Sequence, residues 1–293
     1  MAFVESVISA VGFLSSIVGL AGSPLLVVSA VQIAKPEIDS WRARKFIPVD
    51  TRPGVLDVVV TTSDRRENPR GKARGLAGHG ALVSIEKTTH FLRRCFDKRT
   101  MKIHVACSVE DSITELSDDL ILIGGPSKNE VAKKFLAALS HEYASQGSLI
   151  AGPDDRYLQF LGTYYPPNPA INPINGEVPE TAFLDANREP VYDYGVILSA
   201  PNVMKGSGRV VLVYGFSSEG TARAGTWLFE SVWSKKLGTL FRKAQAQVKN
   251  ADGFIMIFCL RRNGEDLMIR PQDVVFKPLH KPTALPERIL SVA

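Results

Sequence analysis

The sequence predicts an α/β protein, a three-layer domain with a mostly parallel sheet and antiparallel strands added near its end. Three observations predict it. Short runs of β-branched and aliphatic residues alternate with segments of helical periodicity. Glycine-rich or hydroxyl-rich turns follow several of those runs directly. The run Leu120-Ile121-Leu122-Ile123 is apolar without interruption, as a strand buried on both faces of a parallel sheet must be.

Ahead of that domain the composition changes. Residues 1–34 carry one charge, Glu5, and 6–34 are 29 uncharged positions, where a membrane span needs about 20. Lys35, Arg42, Arg44 and Lys45 follow the run and no basic residue precedes it. The positive-inside rule then gives a single-pass anchor with its N-terminus outside and the body cytoplasmic. Gly22-Ser23-Pro24 offers a break that would turn the run into a helical hairpin instead. Small residues four apart (Gly12 and Ser16, Gly19 and Ser23) suit self-association through this helix, a homo-oligomer contact. Residues 35–54, with Pro36, Pro48 and Pro53, read as a linker, and 55–293 as the α/β domain.

Within the domain, 56–60 is the first strand and 81–96 a helix with Leu82, Ile85, Leu92 and Phe96 near helical spacing. Strands follow at 102–107 and 120–123, and a helix at 130–139. A weaker strand at 157–161 leads into 163–190, which holds six prolines and reads as irregular. Strands at 194–198 and 210–214 are joined by a turn at Lys205-Gly206-Ser207-Gly208. A long helix runs from 221 to about 247. A hairpin of 254–260 and 273–276 turns at Arg262-Asn263-Gly264.

Composition excludes several chemistries. The three cysteines are odd in number and far apart, and the five histidines have no ligand spacing, so neither a disulfide framework nor a metal site is expected. The net charge of +5 is concentrated in five basic residues between Arg65 and Arg74, too local for a nucleic-acid-binding face. No P-loop pattern, Gly-x-Gly-x-x-Gly after the first strand or His-Glu-x-x-His occurs, and Glu219 stands where a hydrolase elbow would need glycine.

Ligands of open α/β sheets bind beyond the carboxyl ends of the strands, and three strand-to-helix loops there carry suitable groups. The first, 61–80, holds Thr61, Thr62, Ser63, Arg70 and Lys72. The second holds Gly124, Gly125, Ser127 and Asn129. The third holds Gly215, Ser217, Ser218, Gly220 and Thr221. Glycines let backbone N–H groups approach an anion, and hydroxyls and basic side chains add bonds and charge. The same residues are also good turn formers and helix caps. Glu219, in the first turn of a helix beside the third loop, is the candidate catalytic carboxylate, and it equally suits the helix dipole.

The motifs Asp57-Val58-Val59-Val60-Thr61-Thr62, Leu122-Ile123-Gly124-Gly125-Pro126-Ser127-Lys128-Asn129-Glu130, Tyr194-Gly195-Val196-Ile197 and Val213-Tyr214-Gly215 resemble those of uncharacterised prokaryotic proteins. In these a Rossmann-like domain sits behind a membrane segment or another module. Such domains are loosely similar to the nucleotide-binding folds of Toll/interleukin-1-receptor-type NAD hydrolases and nucleoside deoxyribosyltransferases, which use a carboxylate near a bound ribose. The expectation is a membrane-anchored module that binds a phosphorylated ligand, with a nucleotide as first choice and the cofactor unspecified. The alternatives are an enzyme cleaving a nucleotide or NAD N-glycosidic bond through Glu219, and a membrane scaffold without catalysis.

Overall fold

A computed structural model describes residues 54–61, 79–95, 99–105, 113–143, 149–151, 158–160, 163–165, 192–230, 251–263 and 266–280. The apolar run 6–34, the linker, and Thr62, Ser63, Arg70 and Lys72 lie outside them. Among the described residues no helix is long and apolar enough to cross a membrane.

The chain forms β1 (Gly54–Val60), α1 (His79–Cys95), β2 (Arg99–Val105), β3 (Leu120–Ile123) and α2 (Glu130–Glu142). It continues through three short strands, β4 (Leu149–Ala151), β5 (Leu158–Phe160) and β6 (Thr163–Tyr165), then β7 (Tyr192–Pro201) and β8 (Arg209–Gly215). After these come α3 (Ser218–Glu230), β9 (Gly253–Asn263) and β10 (Asp266–Leu279). Seven strands make one mixed sheet in the order β10-β9-β7-β8-β3-β1-β2, and β4, β5 and β6 make a separate antiparallel one.

The α/β class is as the sequence predicts, but the sheet is evenly mixed rather than mostly parallel. Ladders β2–β1, β1–β3 and β3–β8 are parallel, while β8–β7, β7–β9 and β9–β10 are antiparallel. The reason is the tight turn between β7 and β8, which is too short to carry a parallel crossover. Gly206 and Gly208 take positive φ there (74° and 77°), and Asn202 N–H donates to the Gly208 carbonyl at 3.0 Å. The closing hairpin runs longer than predicted. Arg262 and Asn263, expected in its turn, are instead strand residues: Asn263 pairs with Asp266 and Arg262 with Leu267, and the register breaks between Ile269 and Val274.

Alternation along the strands divides the core into two layers. Leu56, Val58 and Val60 of β1 join Ile121, Ile123, Val211 and Val213 on the face that α1 and α3 cover. Val59, Leu120, Leu122, Leu212 and Tyr214 face α2, which contributes Val131, Ala132, Phe135, Leu136 and Leu139 at helical spacing. Aromatic pairs fasten the first layer: Phe91 of α1 lies 5.4 Å from Phe229 of α3, and Trp227 lies 4.9 Å from Phe258 of β9. Each such pair contributes about 1 kcal/mol beyond its area.

Of the stripe predicted for α1, Leu92 is buried and Ile85 packs against the core, Leu82 does not join it, and Phe96 lies outside the described residues. Leu82 is 55% exposed, whereas Ala81, Ser84, Thr88, Phe91 and Leu92 are buried. Close packing against α3 is the reason. Ser84 Oγ donates to the Thr221 carbonyl at 3.0 Å, and a Cβ on Gly225 would stand 2.4 Å from that Oγ. Small residues, not leucines, allow that approach. Strands β4 and β6 have no counterpart in the sequence reading, because three residues are too few to display a period.

Candidate functional site

The parallel strands β1, β3 and β8 end at one edge of the sheet, and β7 begins there because it runs antiparallel to β8. Helix α1 lies on one face and α2 on the other. The chain therefore leaves β1 and β3 toward opposite sides, and a switch point of this kind opens a crevice between two strands.

The second loop spans that crevice. Gly124 has φ of 106°, and a Cβ on it would meet Thr61 Cγ2 at 2.2 Å, so glycine is required by backbone and neighbour alike. Thr61 N–H donates to the Ile123 carbonyl at 2.9 Å, and its hydroxyl donates to the Lys128 carbonyl at 2.8 Å. Asn129 is fully buried and caps α2: Oδ1 accepts from Ala132 N–H at 3.1 Å, while Nδ2 donates to the Ile123 carbonyl at 3.4 Å. Its side chain serves the fold and not a ligand. Ser127 and Lys128 are exposed at the tip of the loop, immediately beside Thr61, from which the basic stretch departs.

The third loop is organised by a residue that the sequence reading did not single out. Asp193, at the start of β7, is fully buried. Its Oδ1 accepts from Tyr194 N–H at 2.7 Å and Ser217 N–H at 3.2 Å. Its Oδ2 accepts from Gly220 N–H at 2.7 Å and from the Ser217 hydroxyl. Burial pushes the carboxyl above its ordinary value, and the four hydrogen bonds from Ser217, Tyr194 and Gly220 pull the other way without overcoming it. The signal for it in the sequence was an acid inside an otherwise apolar strand, where a partner is obligatory.

The rest of that loop is equally committed. Ser217 Oγ accepts from Glu219 N–H at 3.0 Å, and the Ser217 carbonyl accepts from Thr221 N–H at 3.1 Å. Thr221 Oγ1 accepts from Gly215 N–H at 3.0 Å. Gly215 and Gly220 are there for contact: a Cβ on either would come within 2.5 Å of the Tyr194 carbonyl oxygen. Ser218 is exposed. Glu219 Oε1 accepts from Arg223 Nε at 2.7 Å, one turn along α3, with the two side chains 36% and 46% exposed.

The structure thus brings Gly124, Gly125, Ser127, Asn129, Gly215, Ser217, Ser218, Glu219, Gly220 and Thr221 to one edge. Most of their polar groups are engaged within the protein. Thr62, Ser63, Arg70 and Lys72 lie outside the described residues. Among those that are described, no group of three or more His, Cys, Asp or Glu could hold a metal ion.

A second polar knot lies apart from this edge, where β3 starts. Asp57 Oδ1 is 2.7 Å from His104 Nε2 and its Oδ2 accepts from Ser117 N–H at 2.6 Å. Ser117 Oγ in turn accepts from Asp57 N–H at 3.0 Å. The serine contacts the aspartate and not the histidine, so the three do not form a nucleophile relay. They tie the edge strand β2 to the entry of β3. Compared with protein-family models, curated proteins and solved structures, the chain matches none.

Proposed function

We propose that this protein is a membrane-tethered binding module whose Rossmann-like α/β domain holds a phosphorylated ligand, a nucleotide first among them. One observation carries the reading: the switch point between β1 and β3 is spanned by a glycine turn whose tip leaves Ser127 and Lys128 exposed beside Thr61. The five basic residues between Arg65 and Arg74 follow Thr61 in the chain and supply charge for a phosphate. The order β2-β1-β3-β8 follows that of doubly wound sheets. Tethering rests on the uncharged run 6–34 and the basic residues behind it. An N-glycosidic cleavage through Glu219 has less support, because that carboxylate is engaged by Arg223.

The test is a melting curve of the full-length protein against nucleotides, NAD and sugar phosphates. A ligand at about 100 times its Kd stabilises the native state by about 2.7 kcal/mol. A saturable shift that Lys128→Ala and Arg70→Ala each weaken supports the reading. A folded protein that none of the compounds shifts is a scaffold in this respect, and pull-down of partners becomes the next experiment.

A further inference from the structure

The two edges of the main sheet are finished differently. At β10 the register breaks between Ile269 and Val274, and Pro271, which has no N–H to donate, stands in the gap. A break and a proline are common means of closing an edge to a further strand. At β2 the pairing with β1 runs unbroken from Gly54 with Arg99 to Val60 with Val105, and β2 is last in the strand order. Among the described residues the exposed large hydrophobic side chains are Leu82 and Ile103, at 55% and 50%. Both flank this edge. Ile103 pairs with Val58 and so shares the face that α1 covers. On α1, Ser84 turns to α3, whereas Thr89 Oγ1 lies 3.9 Å from Met101 Sδ of β2. Leu82 and Ile85 share the side of Thr89 at helical spacing.

We infer that β2 is the contact between two copies of this chain, paired antiparallel about a two-fold axis normal to the sheet, which joins the seven strands of each into one sheet. Side-chain alternation selects the register. Lys102 and His104, level with Asp57 and Val59, face away from α1. An axis at 102 opposes two lysines, which like charge disfavours, and one at 101 or 104 moves the two isoleucines apart. An axis at 103 sets Ile103 against itself, covers that exposed side chain and leaves Leu82 over the same seam. It also sets the exposed Lys102 of each copy against His104 of the other, whose Nε2 is 2.7 Å from the Asp57 carboxylate. A cation thus meets a carboxylate-bearing pair on both sides of the axis. Lysine on an edge ordinarily blocks pairing; here it fixes which pairing forms.

The experiment is cysteine cross-linking of the full-length protein. Residues directly opposite in an antiparallel pair have Cα atoms about 5 Å apart, and residues displaced by two positions about 7–8 Å, beyond the disulfide limit of about 7 Å. Ile103→Cys should therefore give a covalent dimer on mild oxidation. Lys102→Cys should give no more than the parent with its native Cys95, Cys107 and Cys259. Sedimentation equilibrium supplies the reversible readout: Ile103→Lys should halve the mass found for the parent. A covalent dimer as abundant from Lys102→Cys as from Ile103→Cys, or none from Ile103→Cys beyond that of the parent, overturns the inference. So does a mass that Ile103→Lys leaves unchanged. A parent that sediments as a monomer overturns it too, and leaves the edge to a strand of another protein.

Discussion

Replacing Gly80 by alanine sets two physical effects against each other with opposite signs. Gly80 lies in the first turn of α1, where exchanging glycine for alanine in a helix is worth about 1 kcal/mol of added stability. Packing opposes it. The new Cβ would stand 1.9 Å from the Ser218 carbonyl oxygen and 2.7 Å from its carbon. Both are backbone atoms at the start of α3, so no side chain can swing aside. Ordinary contact begins at 3.4 Å, so the two helix starts must part by about 1.5 Å, well beyond what a packed core absorbs without cost. That movement also strains the Ser84 hydroxyl's bond to Thr221. Overpacking of this kind costs up to about 3 kcal/mol, so the net expectation is a loss of about 2 kcal/mol. For a domain of this size the midpoint should fall by about 6 °C. Urea unfolding with an unchanged m-value is the cleaner assay, because a shift in midpoint alone then reports stability. A variant more stable than the parent would mean that helix propensity governs this position and that the α1–α3 approach is not a close contact.

Three other outcomes follow from the same contacts. Asp193→Asn keeps one acceptor oxygen but turns a second N–H group toward Gly220 N–H, and should cost about 2 kcal/mol, read by denaturant unfolding. Because burial raises the Asp193 carboxyl, its contribution is fully present below 3.8 and is lost as pH rises through the higher folded value. The gap between parent and variant should therefore narrow with rising pH, and a widening gap would contradict the raised value. Asp57 behaves in the opposite sense. Burial raises it, but hydrogen bonds from Ser117 and His104 together hold it below 3.8. Its contribution is present above that value and is lost as pH falls through the lower folded one, so acid unfolding should be shallower in Asp57→Asn than in the parent. Glu219→Gln removes an exposed i,i+4 pair and should change stability by less than about 0.5 kcal/mol; a larger loss would show that the pair is part of the fold.

What could be read from the sequence was what repeats within a short window. The buried run Leu120–Ile123, helix α2 and the Gly206–Gly208 turn each declare themselves within a few residues, whereas Asn129, a candidate ligand residue in the sequence, is the α2 cap. Contacts between distant positions did not. The direction of β7 follows from a turn that was visible, yet its meaning for the sheet depends on where β9 docks, some sixty residues later. The same limit hid Asp193, whose partners lie 24 and 27 positions along the chain. It also reversed the meaning of the hydroxyls in the third loop. Serine and threonine look alike as ligand donors and as caps until the acceptor is seen, and here the acceptors are the protein's own Asp193 and Ser217 carbonyl.

The parallel pairing of β3 with β8 sits at the middle of the sheet and joins residues ninety positions apart, Leu120 with Val210. Local pieces such as the β7–β8 and β9–β10 hairpins can form within microseconds, as hairpins do. The central seam instead waits on closure of a long chain, which is the slow event in sheets built from non-local contacts. Two half-sheets, β2-β1-β3 and β8-β7-β9-β10, are thus the natural units of assembly, each with an open apolar edge until they meet. During synthesis the first unit emerges well before its partner, and through that interval the bare flank of β3 is a strand edge open to pairing with other chains.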